Sequence, residues 1–290
     1  MRRNGLLPST RRRPVGSPPR SDARDALADA AARFTFSATP RLDAELLLAH
    51  ALGITRERLL LTLADHTAPP AFAALVERRA AHEPIAYITG TRAFWTIDLR
   101  VAPGALIPRA DSETLIEAAV AHFAGTAGPR RVLDLGTGSG ALLLAALDQW
   151  PGASGVGLDA SPAALTIARD NAVRIAPGRA TIAAGGWEGT GEAFDLILCN
   201  PPYIATGAAL PPEVVEYEPA SALFAGPDGL DDYRIIAALL GRQIAPDGVA
   251  CIEIGHDQQE SAAALFRAAG LAVALRRDLA GRDRCLVVTS

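Results

Sequence analysis

The sequence predicts an α/β fold: a largely parallel β-sheet with helices on both faces, preceded by a small helical bundle and a β-hairpin. Three observations predict it. From about Asp111 onward, apolar strand-like runs alternate with helical stretches, the rhythm of a sheet built through helical crossovers. One of these runs turns directly into a glycine-rich loop, "DLGTGSG" at 134–140, and then into a helical stretch. Before about Glu83 the pattern is helical throughout.

Taken in order, residues 1–20 read as a disordered basic tail, rich in Pro, Ser and Arg. Residues 21–83 read as an N-terminal helical domain containing "SDARDALADAAARF", "TPRLDAELLLAHALG", "TRERLLLTL" and "PPAFAALVERRAAHE". Leu42, Leu46, Leu47 and Ala49 to Leu52 recur there at helical steps. Thr39 before Pro40 reads as an N-cap with proline at the first helical position, and Gly53 as a stop. Residues 84–108 alternate β-branched and aromatic residues, which predicts a hairpin linker with Gly90 at its turn. Residues 109–290 form the main domain. In it the pattern gives helix 111–124, strand 130–135, helix 139–149, strand 153–158, helix 161–175 and strand 180–184. Strand 194–199 follows, then a long loop, helix 230–245, strand 248–255 and helix 257–269. Two final strands near 271–276 and 284–289 suit an antiparallel hairpin at one edge of the sheet.

Composition narrows the function classes. No apolar run is long enough to span a bilayer or to serve as a signal peptide, so a cytoplasmic protein without a membrane partner is expected. Cys199, Cys251 and Cys285 lie far apart in apolar contexts without metal-ligand spacing, and read as reduced core residues. The chain has no Lys: its 28 basic residues are all Arg, against 32 acids. The first 24 residues hold seven Arg against Asp22 alone, which leaves 21 Arg against 31 acids in the body. An acidic body argues against stable nucleic-acid binding.

Three strand ends carry the chemistry. The first is Asp134, at the mouth of the loop formed by Gly136, Thr137, Gly138, Ser139 and Gly140. Glycines let a ligand approach the backbone and the helix N-terminus closely. A carboxylate there repels a pyrophosphate but suits a ligand with a cationic amino-acid head, and S-adenosylmethionine has such a head and no phosphates. The alternative is that Asp134 only caps the loop or the helix behind it. The second is Asp159 in "GLDASP", an acid placed to accept both hydroxyls of an adenosine ribose, or else a plain N-cap.

The third is "FDLILCNPPYI", Phe194 to Ile204. In an open parallel sheet, ligands sit beyond the carboxyl ends of the strands, so Asp134, Asp159 and Asn200 share one rim. The Asn200 side-chain oxygen and the Pro201 carbonyl, stiffened by Pro202, are two neutral acceptors suited to a planar NH₂ group. Tyr203 offers that group a flat face. Drawing on both N–H bonds favours a pyramidal nitrogen whose lone pair points at a methyl donor, catalysis by positioning and electrostatics.

These motifs, with "FWTIDLRVAPGALIPRADSETLIE", "EPASALFAGPDGLDDYR" and "CIEIGHDQ", resemble the bacterial peptide chain release factor glutamine methyltransferases over about residues 25–290. The resemblance implies a Rossmann-like class I S-adenosylmethionine-dependent methyltransferase domain. Its expected partners are class 1 release factors, whose Gly-Gly-Gln glutamine it would methylate at N5, leaving S-adenosylhomocysteine. It implies that Gly136 to Gly140, Asp159, Trp187 and Asn200 line the cofactor, and that Asn200, Pro201, Pro202 and Tyr203 hold the glutamine. Two positions depart from the family pattern: Ala110, where Asp111 or Ser112 is then expected to cap the next helix, and Gly186 before Trp187. Arg109 and Glu113 either help close the cofactor site or form internal ion pairs. Two other substrates share the core motifs, a ribosomal-protein glutamine and an adenine or cytosine amine in nucleic acid. A non-catalytic cofactor-binding protein is the reading from another class.

Overall fold

The computed structural model describes residues 22–290, and the predicted basic tail of residues 1–20 lies outside the described residues. Two compact units emerge, one ending at Ala81 and the other spanning His82–Ser290.

In the first unit, Asp22 opens α1 (Ala23–Arg33) by accepting the Arg24 N–H at 2.8 Å. Helix α2 (Pro40–Leu52) has proline in its first turn and ends at Gly53, which is left-handed with φ 68°. Thr39 holds the N-cap position, but its hydroxyl turns to Asp43 and bonds no helix N–H. Helices α3 (Arg56–Thr62) and α4 (Pro70–Ala80) complete the unit. The apolar stripe read from α2 is rotated: Leu42 is exposed, while Asp43 and Glu45 are buried with Ala44, Leu47, Leu48 and Ala49. Arginines make this possible. Arg79 meets Asp43 at 2.9 Å, and Arg41 and Arg56 each reach Glu45 at 2.8 Å. Buried carboxylates are tolerated when paired in this way.

The second unit begins with a helical turn, α5 (Ile85–Thr89), where alternation had suggested strand. Strands β1 (Thr91–Phe94) and β2 (Ile97–Arg100) then form an antiparallel hairpin. Its turn is Trp95-Thr96, not Gly90, because Phe94 pairs with Ile97. Gly90 instead ends α5, left-handed at φ 73°. Trp95 takes a φ of 53°, a conformation that a tight hairpin turn demands. The Glu113 carboxylate secures it by accepting the Trp95 N–H at 2.9 Å.

Helix α6 (Glu113–His122) is entered through a short 3₁₀ turn, and neither expected side chain caps it. Ser112 already has helical angles, and Asp111 faces Arg284 at 3.2 Å. Next come β3 (Arg131–Leu135), α7 (Ala141–Gln149), β4 (Ser154–Asp159), α8 (Pro162–Ile175), β5 (Ala180–Ala184) and β6 (Phe194–Cys199). The expected long loop contains a short helix, α9 (Pro212–Tyr217). Helix α10 (Asp231–Leu240) stops earlier than its apolar pattern suggested, since Ile244 already belongs to β7 (Ile244–Glu253). Helix α11 (Gln259–Ala268), β8 (Ala272–Arg277) and β9 (Asp283–Thr289) follow.

The seven strands lie in the order β5-β4-β3-β6-β7-β9-β8. The first five are parallel, and β9 runs antiparallel between β7 and β8. Leu196 and Leu198 of β6 pack into the core under α6 and α7, while Ile197 and Cys199 pack against Tyr233 of α10 and Phe266 of α11. A central strand covered on both faces thus reads as an unbroken apolar run. All three cysteines are buried and unpaired. Among the described residues, no helix is long and apolar enough to cross a membrane.

Close approach of β3 to β4 depends on Gly155. A Cβ there would lie 2.5 Å from Leu143 Cδ1 and 2.9 Å from the Val132 carbonyl oxygen. Gly155→Ala is expected to lower stability by about 1–3 kcal/mol through overpacking. Urea denaturation would check this, and an unchanged midpoint would show that the strands separate freely.

Candidate functional site

The register of the central strands builds the site. β3 pairs in parallel with β4 on one side and β6 on the other, Leu135 standing opposite both Leu158 and Cys199. The glycine loop, Asp159 and Asn200 therefore emerge at one edge of the sheet, where successive strands depart in opposite directions. This is the topological position where open α/β sheets bind ligands. A cavity of about 340 Å³ opens there, lined by Gly136 to Ser139, Asp159, Trp187, Asn200, Pro202 and Asp232. Such a volume suits a small organic ligand.

The loop's shape depends on backbone freedom at Gly136, which has φ 70°. A Cβ at that position would also press on the Trp187 ring, 3.1 Å from Cη2. Asp159 ties the loop to β4: its Oδ2 accepts the Gly138 N–H at 2.8 Å and its Oδ1 accepts the Ser161 N–H at 2.8 Å. Ser161 in turn caps α8. Trp187 donates its indole N–H to Asp232 Oδ1 at 2.8 Å, which fixes the ring at the cavity wall. Burial pushes the Asp232 carboxyl up, against the Trp187 hydrogen bond.

Asp134 departs from the expected direct contact. It is buried and is not among the residues lining the cavity. Its Oδ2 accepts the Thr137 hydroxyl at 2.6 Å and the Leu143 N–H at 3.2 Å, so it braces the loop and the start of α7, the capping alternative. Its Oδ1 has no hydrogen-bond partner, and the same holds for the buried Ser139 hydroxyl in the cavity wall. Burial pushes the Asp134 carboxyl up to about 7, with Thr137 and Leu143 opposing and Asp159 adding to the rise. Gly140 also lies behind the wall, as the left-handed residue that opens α7.

Asn200 and Pro202 line the cavity, whereas Pro201 is buried and Tyr203 stands back from it. Asn200 Nδ2 donates to Ser112 Oγ at 3.2 Å. The Tyr203 ring packs against the core instead of lying open to a ligand, because its hydroxyl donates to the buried Glu253 at 3.2 Å. Burial, reinforced by the Glu253 charge, raises the Tyr203 hydroxyl's pKa.

Known proteins resemble this chain in sequence and fold. Residues 25–90 match the family described as PrmC N-terminal domain, and residues 112–217 match Methyltransferase small domain. The release factor glutamine methyltransferase of Rhodospirillum rubrum is 44% identical over 257 residues, 86% of this chain and 78% of that protein. That of Xylella fastidiosa (strain Temecula1) is 45% identical over 255 residues, 85% of this chain and 92% of its own length. The chain belongs to the release factor glutamine methyltransferase family. Among solved structures, the hMettl16 catalytic domain in complex with MAT2A 3'UTR hairpin 6 superposes with a TM-score of 0.54 at 15% identity, covering 74% of this chain and 81% of that one. The likeness is one of fold, that of the Rossmann-like class I S-adenosylmethionine-dependent methyltransferases.

In this family member Arg109 and Glu113 have separate partners. Arg109 pairs with the buried Glu218, and Glu113 holds the hairpin turn through Trp95. Glu218 also accepts the Ile107 N–H at 3.1 Å, so one carboxylate fixes the 105–109 segment of the cavity wall. Sequence reasoning had named Ser112 only as a helix cap, and had not singled out Glu218, Asp232 or Glu253. For Glu253 a signal existed: a lone acid inside the apolar run "ACIEI". Glu218→Ala leaves the Ile107 N–H without an acceptor, and is expected to cost about 1–3 kcal/mol. Glu218→Gln keeps an acceptor and should lose clearly less. Chemical denaturation with amide exchange at Ile107 distinguishes the two, and equal losses would mean that charge pairing alone holds the segment.

Proposed function

We propose that this chain methylates the side-chain amide nitrogen (N5) of the glutamine in the Gly-Gly-Gln loop of class 1 peptide chain release factors, supporting translation termination. The observation that carries this reading is Asn200. At the cavity wall its Nδ2 is engaged by Ser112, which leaves Oδ1 as the acceptor for a substrate N–H. An enzyme serving termination works in the cytoplasm.

The cavity fits S-adenosylmethionine by the chemistry of its donors. Asp134, Asp159 and Asp232 place carboxylates in or just behind the wall, while the nearby Arg109 is neutralised by Glu218. That field suits a cationic, phosphate-free ligand. S-adenosylmethionine, when bound, supplies a methyl group on a sulfonium, a leaving group good enough to need no strong side-chain base, with S-adenosylhomocysteine as product.

Each Asp159 oxygen uses one lone pair on a backbone N–H, which leaves one on each for the two ribose hydroxyls. The loop from Gly136 to Gly140 carries the ligand's backbone contacts, and Trp187 borders its adenine. Asp134 acts from behind, stabilising the cationic head through its unpaired Oδ1. Asn200 Oδ1 and the Pro201 carbonyl accept the two N–H bonds of the glutamine amide. Pro202 restricts the backbone that aims them, and Tyr203 braces the segment through Glu253. These groups favour a nitrogen pyramidalised toward the methyl, and their contribution is positioning and electrostatics.

Labelled methyl transfer tests the reading, with a class 1 release factor, the same factor carrying Glu in place of its loop Gln, ribosomal proteins and bare RNA as acceptors. Label is expected on the native factor alone. Asn200→Ala is expected to reduce kcat by roughly 100- to 1000-fold, the scale of removing one oriented polar group at a reacting centre. Label on a ribosomal protein or on RNA would overturn the assigned substrate.

The helical unit ending at Ala81 is assigned the grip on the protein substrate. Its removal should raise KM for the intact release factor far more than for a short Gly-Gly-Gln peptide. Equal changes for both would sink this assignment.

A further inference from the structure

We propose that Gln258 is a positioning residue that aims Asn200 and the Pro201 carbonyl into the cavity, by clamping the main chain where it leaves Pro202. The inference rests on the glutamine methyltransferase reading above.

The segment Asn200-Pro201-Pro202-Tyr203 has few means of anchoring itself. Proline carries no N–H, so Pro201 and Pro202 donate no hydrogen bond, and the prolines and the residues before them leave few soft torsions. Such a segment moves nearly as one body, and its aim is set at its ends. The upstream end is Cys199, fixed in the sheet opposite Leu135 and Ile252. The downstream end is the Tyr203 carbonyl, which accepts a hydrogen bond from Gln258 Nε2 at 2.9 Å. Ile204 follows it into a short pairing, donating to the Leu223 carbonyl at 2.9 Å and accepting the Ala225 N–H at 2.9 Å.

The Gln258 amide is itself held in one orientation. Its Oε1 accepts the Gly255 N–H at 3.1 Å, which turns Nε2 toward two carbonyls, that of Tyr203 and, at 3.3 Å, that of Gly229. The Gln258 main chain is rooted at the start of α11, its N–H donating to the Gly255 carbonyl at 3.0 Å and its carbonyl accepting the Ala262 N–H at 2.9 Å. Gly229 shows how closely these backbones meet. It has a φ of 72°, and a Cβ there would lie 2.3 Å from the Tyr203 carbonyl oxygen and 2.9 Å from Gln258 Nε2. From Gly229 the chain passes through Leu230 into α10, where Asp232 lines the cavity and holds Trp187. One side chain therefore joins the segment assigned to the glutamine to the element that carries the cofactor wall. Gln258 is half-buried and outside the cavity lining, so it acts on aim and not on the reacting atoms. Aim matters, because a displacement of about 1 Å at a reacting centre costs roughly 100-fold in rate.

Kinetics and amide exchange on the full chain test the proposal. Gln258→Met keeps the length of the side chain and removes its amide. It is expected to lower kcat on a release factor by roughly 10- to 100-fold, with KM for the factor and the dissociation constant for S-adenosylmethionine nearly unchanged. In an Asn200→Ala background the same change should cost roughly 3-fold or less, because the side-chain acceptor being aimed is gone. A merely structural role would cost the same factor in both backgrounds. Without any substrate, the Ile204 N–H should exchange roughly 10-fold faster in Gln258→Met, with the Leu198 N–H of β6 unchanged. Should Gln258→Met fail to fold, Gln258→Glu, which keeps an acceptor for Gly255, is read by the same criteria. Wild-type kcat in the folded variant, an equal loss in the Asn200→Ala background, or unchanged exchange at Ile204 would overturn the proposal. If the wild type transfers no methyl to a release factor, the functional reading fails, and exchange at Ile204 still decides whether Gln258 holds the segment.

Discussion

The parallel pairing of β3 with β6 is the constraint from which the rest of the site hangs. The chain leaves β3 toward β4 and β5, then returns to the opposite side of β3 to lay down β6. Two loops thus exit side by side while their helices diverge, and the crevice between them is the cavity. The pairing is close enough that a Cβ on Gly136 would stand 3.9 Å from the Asn200 carbonyl. A slip of one residue would turn Leu196 and Leu198 away from their own core and misplace Asn200 together with them. The apolar burial that fixes this register therefore also fixes the distance between the loop and the amide.

Electrostatics works against stability in the same place. Asp134 and Glu253 are fully enclosed, each with one unpartnered oxygen, and burial raises both carboxyl groups. Groups held at such cost in a core are more often tied to binding or chemistry than to folding. Here Asp134 lies behind the glycine loop and Glu253 holds the Tyr203 hydroxyl, both outside the cavity lining. Most of the arginines near them are committed elsewhere, Arg109 to Glu218 and Arg284 partly to Asp111 and Asp278.

Much of the fold was legible because periodicity reports burial: the alternating second unit, the doubly covered β6 and the final hairpin followed from apolar runs and turn residues. What misled was local ambiguity. "IAYIT" alternates like a strand, yet it forms a helical turn once Gly90 offers a left-handed exit. Leu42 looked internal because a pattern of apolar residues cannot foresee arginines that admit Asp43 and Glu45 instead. At the site, the residues at strand tips could be read from sequence because topology alone brings them to one edge. Those that act from behind, Ser112, Glu218 and Glu253, sit 88, 111 and 50 residues from the groups they hold, Asn200, Ile107 and Tyr203. No spacing rule reaches that far. Asp134 shows the same limit from the other side, since only three-dimensional placement separates a residue that lines a wall from one that supports it.

Glu218 also bears on how such a protein can drift over generations. It serves the Ile107 N–H and the Arg109 guanidinium at once, so two stretches of wall distant in sequence share a single fastening. Replacing Arg109 first strands a buried carboxylate, and replacing Glu218 first strands a backbone donor, so either path passes through a weaker intermediate. The exposed neighbour Ala220 carries no such debt. Lineages of this fold are thus expected to keep positions 109 and 218 as an inherited pair, changing both or neither.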